Sequence, residues 1–260
     1  MKKLTALLLS AIMMLGLTAC GSSEPATTTD TDNKTVVIGV DDTFAPMGFR
    51  DDAGNLVGFD IDLANELLGR LGYEAKFQVI DWSMKETELN NGNIDLIWNG
   101  YTITDSRKEK VNFTQPYLDN KQIIVVMADS ELETKADLAG KTVAVQKESS
   151  AYEAVMADTA TAATLKGGEP VQFDTNTDAL MDLEAGRSDA AVLDEVLARY
   201  YIKLRGEEQY KVLEDNFGSE EYGIGVRKAD TEFLAEVDGE LTEMINDGTF
   251  AEIKGRWFAE

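Results

Sequence analysis

Ile97-Trp98-Asn99-Gly100-Tyr101-Thr102-Ile103-Thr104-Asp105-Ser106-Arg107 is the stretch on which the reading of this chain turns. Ile94, Leu96 and Ile97 have the continuous apolar character of a strand covered on both faces. The strand breaks at Asn99-Gly100, a dipeptide suited to turns. Asp105 then stands where a helix N-cap is expected, with Arg107 in the first turn. A cation is mildly disfavoured there, because the helix dipole draws anions to that end. Two threonine hydroxyls, free backbone amides and an arginine gathered at one helix start fit a bound anion. A guanidinium grips a carboxylate through two parallel hydrogen bonds. A solvent-facing arginine after a turn is the competing reading, and this stretch alone leaves both open.

Upstream, residues 1–19 read as a leader rather than as part of the fold. Lys2-Lys3 supply a positive start, and the apolar run from Leu4 to Leu15 is too short to span a membrane as a stable helix. Leu17-Thr18-Ala19-Cys20 resembles a bacterial lipobox, which implies cleavage before Cys20 and a lipid on its sulfur. Cys20 is the sole cysteine, so no internal disulfide can form. Residues 20–33 are rich in Ser, Thr and Asp, have almost nothing apolar to bury, and read as a flexible tether.

Composition narrows the chemistry open to the rest of the chain. The net charge of −24 argues against nucleic acid or an anionic lipid surface as partner of the body. The chain has no histidine and its one cysteine is at the lipid position, which removes Ser-His and Cys-His catalysis and imidazole or thiolate metal sites. No catalytic residue, metal or cofactor is expected.

From Lys34 onward, apolar strands alternate with helical patterns, the mark of an α/β fold with largely parallel sheets. Thr35–Val40 is a strand that ends at Asp41, with Phe44 just beyond. The run Lys76–Ile80 ends likewise at Asp81-Trp82, and Ala190–Leu193 ends at Asp194. Ligands in open α/β sheets sit beyond the carboxyl ends of strands, so Asp41, Phe44, Trp82 and Asp194 are candidate site residues. Ile61, Ala64, Leu68 and Leu71 fall at helical spacing behind Asp60, read as an N-cap. Thr142–Val145 is a further strand, and Gln146-Lys147-Glu148-Ser149-Ser150 opens a helix whose hydroxyls and amides could meet an anion or simply cap it. Glu221–Val226 reads as the last strand. Phe233, Val237, Leu241, Met244, Phe250, Ile253 and Trp257 form the packing faces of C-terminal helices.

Several motifs then appear in order: Phe44-Ala45-Pro46, Gly58-Phe59-Asp60-Ile61-Asp62-Leu63-Ala64, Thr102-Ile103-Thr104 with Arg107, Phe113 with Pro116-Tyr117, Leu138-Ala139-Gly140-Lys141, and Gly186-Arg187-Ser188-Asp189-Ala190-Ala191 with Asp194. The set, covering Lys34 to Glu260, resembles the polar amino-acid substrate-binding proteins of ABC importers, the glutamine/histidine/arginine-binding group. The resemblance implies a two-lobed, type II periplasmic-binding-protein fold with two crossings, near Leu118–Lys121 and Phe217–Glu220. Lobe 1 would be residues 34–119 plus 219–260, and lobe 2 residues 120–218. Arg107, Thr102 and Ser150, with Ser149 beside it, would hold a ligand α-carboxylate. Asp194 and the Gly100 carbonyl would take the α-ammonium, Phe44 and Trp82 would flank the side chain, and Asp41 and Gln146 would meet its polar end.

The implied partners are a free amino acid, an ABC permease and ATPase complex, and the membrane through the lipid on Cys20. The protein would be an extracytoplasmic, lipid-anchored monomer at the cell surface or in the periplasm. One departure stands out: Glu148 occupies a place where the group usually has glycine. Two other classes compete. A dehydratase on the same fold would act on dianionic acids lacking an ammonium, which the carboxylate of Asp194 disfavours. A ligand-sensing receptor domain is the third.

Overall fold

The computed structural model describes residues 34–258; the expected leader, tether and lipidated Cys20 lie outside the described residues. β1 (Lys34–Val40) leads into a small antiparallel sheet of β2 (Thr43–Phe44), β3 (Gly48–Arg50) and β4 (Leu56–Val57). Helix α1 (Phe59–Arg70) and β5 (Tyr73–Val79) follow. A 3-10 turn at Trp82–Met84 opens α2 (Lys85–Asn90), and then come β6 (Leu96–Ile97), α3 (Asp105–Lys108) and β7 (Asn112–Phe113). The long β8 (Leu118–Met127) precedes β9 (Val143–Gln146), α4 (Ser150–Ala157), α5 (Thr159–Ala162) and β10 (Val171–Phe173). After α6 (Asn176–Glu184), β11 (Ala190–Asp194) and α7 (Glu195–Arg205) comes β12 (Tyr210–Tyr222). The chain finishes with β13 (Gly225–Val226), α8 (Thr231–Asp247) and α9 (Thr249–Trp257).

These strands form two five-stranded sheets, ordered β5-β1-β6-β13-β7 and β10-β9-β11-β8-β12. In each sheet four strands run in one direction and one, β13 in the first and β8 in the second, runs against them. The expectation of largely parallel sheets therefore holds for strand direction, with one reversed strand in each that pairs antiparallel on both sides. The second sheet shows why its strands read as unbroken apolar runs. Ile123, Val125, Ala191 and Leu193 pack into one core cluster, while Ile124, Val126, Ala190 and Val192 pack into another on the opposite face. Helix α1 buries Ile61, Leu63, Ala64, Leu67 and Leu68, and α8 buries Val237, Leu241 and Met244 at positions one turn apart.

Three local expectations are corrected. The cap of α3 is Thr104, whose hydroxyl accepts the Arg107 amide at 3.2 Å, so Asp105 is already helical. Asp60 does not cap α1: Gly58 holds that place at φ 145°, where a Cβ would lie 2.1 Å from the Met47 carbonyl oxygen. The expected last strand is divided, because β12 ends at Tyr222 and β13 begins at Gly225. Strand boundaries also move slightly, to Tyr73–Val79 for the second and Val143–Gln146 for the fourth sheet run.

Released from capping, the Asp60 side chain points inward, fully buried, and ties α1 to the turn after β6. Its carboxylate accepts the Gly100 amide at 2.7 Å and the Tyr117 hydroxyl at 2.9 Å. Burial lifts its pKa from 3.8 to about 7. The folded chain thus retains a proton that the unfolded chain gives up. This group's contribution to stability is complete below about pH 4 and is lost as pH rises through about 7. Asp60→Asn should flatten that slope, changing the pH dependence of unfolding free energy by on the order of 3–4 kcal/mol across the window. Urea unfolding of both forms at several pH values measures it; parallel profiles would contradict the assignment.

Candidate functional site

Arg107 is 1% exposed, held under the turn it terminates. Its Nη1 donates to the Thr102 carbonyl at 3.0 Å, its guanidinium lies 4.7 Å from the Tyr101 ring centroid, and its Nε has no hydrogen-bond partner. The nearest acid, Glu153 on α4, stands 3.7 Å from that Nε, beyond hydrogen-bond reach. Tyr101 is fixed in turn by donating to Glu86 at 2.9 Å and by edge contact with Trp82.

Thr102 bridges to Tyr222 and so sits where both sheets converge. Its hydroxyl is 3.0 Å from the Ser150 hydroxyl at the start of α4. Ser150 Oγ accepts from Gln122 Nε2 at 3.1 Å, and that amide also donates to Asp194 at 3.0 Å. A continuous chain of polar contacts therefore joins the guanidinium of Arg107 to the carboxylate of Asp194, through residues of α3, α4, β8 and β11. Asp194 is 3% exposed and also accepts from Tyr222 Oη at 2.7 Å and Asn120 Nδ2 at 2.6 Å. Burial, then the adjacent Glu220 carboxylate, push its pKa well above the usual carboxylate range.

Gly100 adopts φ 59°, and a Cβ there would stand 2.8 Å from Phe44 Cε1 and 3.3 Å from the Tyr222 ring. Glycine is therefore required on both conformational and steric grounds. Phe44 and Trp82 are both buried. Asp41 accepts from Gln146 Nε2 at 2.8 Å and from the Thr43 hydroxyl at 2.7 Å, and burial raises its pKa. Gln146 is held by Asn176, which donates to its Oε1 at 2.9 Å and keeps a buried Oδ1 with no partner.

Site residues line two cavities. One, of about 870 Å³, is bordered by Thr102, Asn120, Ser150, Glu153 and Glu220. The other, of about 260 Å³, is bordered by Asp41, Thr43, Trp82 and Asp174. Arg107 and Asp194 open onto neither, and their link is the bonded chain through Thr102, Ser150 and Gln122. The Ser149 hydroxyl is committed within its own loop, accepting the Tyr152 amide and donating to the Gln146 carbonyl. Plain capping describes it.

Sequence reasoning missed Asn120, Gln122, Tyr222 and Glu220, polar residues of β8 and β12 that surround Asp194, and Asn176 behind Gln146. It also missed the use made of Lys85. This lysine is 1% exposed, and its Nζ donates to the carbonyls of Glu148 at 2.9 Å and Trp82 at 3.2 Å. Burial, then the neighbouring Arg107, lower its pKa to about 8. The Lys85–Glu148 bond, with Thr102–Ser150, Gln146–Asp41, Ser106–Glu153 at 2.8 Å and Tyr201–Thr43 at 3.0 Å, ties the elements around the first sheet to those around the second.

The architecture defined by these two sheets is the two-lobed type II periplasmic-binding-protein fold, and comparison with known proteins agrees. Residues 36–260 match the bacterial extracellular solute-binding proteins, family 3. The arginine-binding extracellular protein ArtP of Bacillus subtilis is 30% identical, with 99% of this chain and 98% of that protein covered. The L-cystine-binding protein TcyJ of Escherichia coli K12 is 30% identical over 86% of this chain and 82% of its own. A crystal structure of an ABC uptake transporter substrate-binding protein from Streptococcus pneumoniae, with bound histidine, superposes with a TM-score of 0.85 at 39% identity, covering 88% and 94% of the two chains. The chain belongs to the family 3 solute-binding proteins.

Glu148 keeps the left-handed backbone that its position demands, at φ 54°, the only such non-glycine among the described residues, and it is exposed. This conformation turns its carbonyl toward Lys85 and Arg107. A left-handed L-residue costs roughly 1–2 kcal/mol, and glycine loses roughly 0.5–1 kcal/mol more chain entropy on folding. Glu148→Gly should therefore stabilise the fold by about 0.5–1 kcal/mol in denaturant titration. Destabilisation would show that the Glu148 side chain contributes more than its solvent position indicates.

Proposed function

We propose that this protein is the substrate-binding lipoprotein of an ABC importer, capturing a free polar L-amino acid between its lobes and delivering it to the permease. The observation that carries the reading is the buried, bonded path from Arg107 to Asp194: a guanidinium and a carboxylate are joined through the neutral hydrogen-bonding groups of Thr102, Ser150 and Gln122. A zwitterion supplies the counter-charge for each. Arg107, whose Nε has no partner, takes the α-carboxylate together with the Thr102 hydroxyl and the Ser150 amide. Asp194 and the Gly100 carbonyl take the α-ammonium. Phe44 and Trp82 enclose the side chain, and its tip meets Asp41, Gln146 and Asn176. A carboxylate flanked by amides suits a cationic or amide side chain, in keeping with relatives named for arginine and histidine.

Lobe 1 is residues 34–119 plus 219–260 and lobe 2 residues 120–218, the paired strands β8 and β12 supplying both crossings. The ligand touches both lobes, so it stabilises the closed form through its higher affinity for that form. The mature chain begins at Cys20, carries lipid there, and works as a monomer outside the cytoplasmic membrane. It performs no catalysis: an acid facing the ammonium site would repel the dianionic substrates of a dehydratase.

A thermal-shift screen of the twenty amino acids plus cystine identifies the ligand. One present at a hundredfold its dissociation constant adds about 2.7 kcal/mol of stability. Against that ligand, Arg107→Ala and Asp194→Ala should each cost about 2–5 kcal/mol of binding by calorimetry, because each leaves a buried charge without its partner. Unchanged affinity in both would reject the site.

A further inference from the structure

β8 and β12 pair so that Glu220 lies opposite Asn120. The Glu220 carboxylate accepts from Asn120 Nδ2 at 2.6 Å, Gln122 Nε2 at 2.8 Å and the Thr102 hydroxyl at 2.9 Å. The same two amides donate to Asp194, at 2.6 and 3.0 Å. A primary amide nitrogen carries two hydrogens, so Asn120 divides its donors between the two carboxylates and holds them side by side, while Gln122 offers two hydrogens to three acceptors, Asp194, Glu220 and the Ser150 hydroxyl.

Among the described residues every hydrogen-bond partner of the pair is neutral, and Asp119, Lys121 and Glu153 border the same cavity as Glu220. Tyr222 donates to Asp194 from β12, and Thr102 and Ser150 contribute hydroxyls. Glu195 and Glu221 adjoin the two acids in sequence. Lys121, on the same stretch of β8, is exposed, and Arg107 is bound to the far side of Thr102 through its carbonyl. Two carboxylates sharing a site with no cation between them do not readily both ionise, and the burial of Asp194 reinforces the effect, while Glu220 is half-buried.

We propose that Asp194 and Glu220 form one acid pair that holds a shared proton in the free protein and releases it to solvent when an α-ammonium enters, so that Glu220 is a second carboxylate of the ammonium site and capture is coupled to proton release. The inference rests on the amino-acid reading of the site under Proposed function. No covalent bond changes in the ligand: its ammonium keeps three protons, the pair loses one, and two carboxylates then share one cation. The three hydrogens of a primary ammonium match Asp194, Glu220 and the Gly100 carbonyl, so the site selects against N-methylated ligands. Affinity rises with pH until the pair ionises fully in the free protein.

The test uses the folded protein in two measurements. Carboxyl 13C NMR of the free wild type, Glu220→Gln and Asp194→Asn should show one acid of the pair protonated near neutral pH in the wild type. Removal of Glu220 should let Asp194 ionise at lower pH. Calorimetric titration with L-arginine, L-histidine, L-glutamine and L-cystine, in phosphate and in Tris, should then give heats that differ by the ionisation heat of about one proton. That difference should fall sharply in Glu220→Gln, and Glu220→Asp, which restores an acid, should recover it. Two ionised carboxylates in the free wild type, or buffer-independent heats with intact binding, would overturn the coupling alone. Failure of all four amino acids to bind would overturn the site reading along with it.

Discussion

Burying a charge without a counter-charge is among the most costly things a fold can do. This fold buries two charged groups, Arg107 and Asp194, with little to offset either. Arg107 is covered by its own turn and by Tyr101, and its nearest acid, Glu153, pairs with it at 3.7 Å without a hydrogen bond. Asp194 is bonded to amides and a phenol, all neutral, and its one charged neighbour is the carboxylate of Glu220. Neutral donors soften the penalty without removing it. The arrangement becomes favourable when a molecule bearing both charges at fixed separation is placed between them, which is the description of an amino acid. β8 and β12, paired along their length, run beside this pair of groups, with Asn120 and Gln122 on one strand and Glu220 and Tyr222 on the other.

The neighbourhood of the two charges is built in layers. Asp60, buried behind Gly100, fixes that residue by accepting its amide and ties the Gly-Phe-Asp run to the turn after β6. Lys85 and the left-handed Glu148 meet across the cleft by a backbone carbonyl, a contact indifferent to the glutamate side chain. That is how a residue disfavoured at this conformation is accommodated where glycine is usual. The same lysine places a second cation beside Arg107, lowering its own pKa and strengthening the positive character of the carboxylate end.

Much of the site was legible because strand ends are legible. Val40-Asp41, Leu193-Asp194 and the break at Asn99-Gly100 are abrupt changes from apolar to polar, and each marks a buried residue of the candidate site. The alternation of elements gave the fold class for the same reason. What escaped notice lies in the middle of long strands. Asn120 and Gln122 look like polar interruptions of β8, and Glu220 like one acid among many near the end of β12. Only cross-strand register, a contact between residues about a hundred positions apart, brings them to Asp194. The antiparallel course of β8 was hidden similarly, since strand direction is set by connections and not by strand composition. Asp60 was misplaced because an acid at a helix start is usually a cap; here Gly58 does the turning and frees the carboxylate to point inward.

The central claim is recognition by two opposite poles, and it is tested most directly by removing one pole from the ligand instead of the protein. The amino acid that binds should be compared by calorimetry with its decarboxylated amine and its deaminated acid, which keep the side chain unchanged. Each truncated form is expected to lose about 2–5 kcal/mol of binding free energy, because one buried charge is then left without its partner. Equal affinity for either truncated form would contradict the account, since it would mean that Arg107 or Asp194 takes no part in holding the ligand.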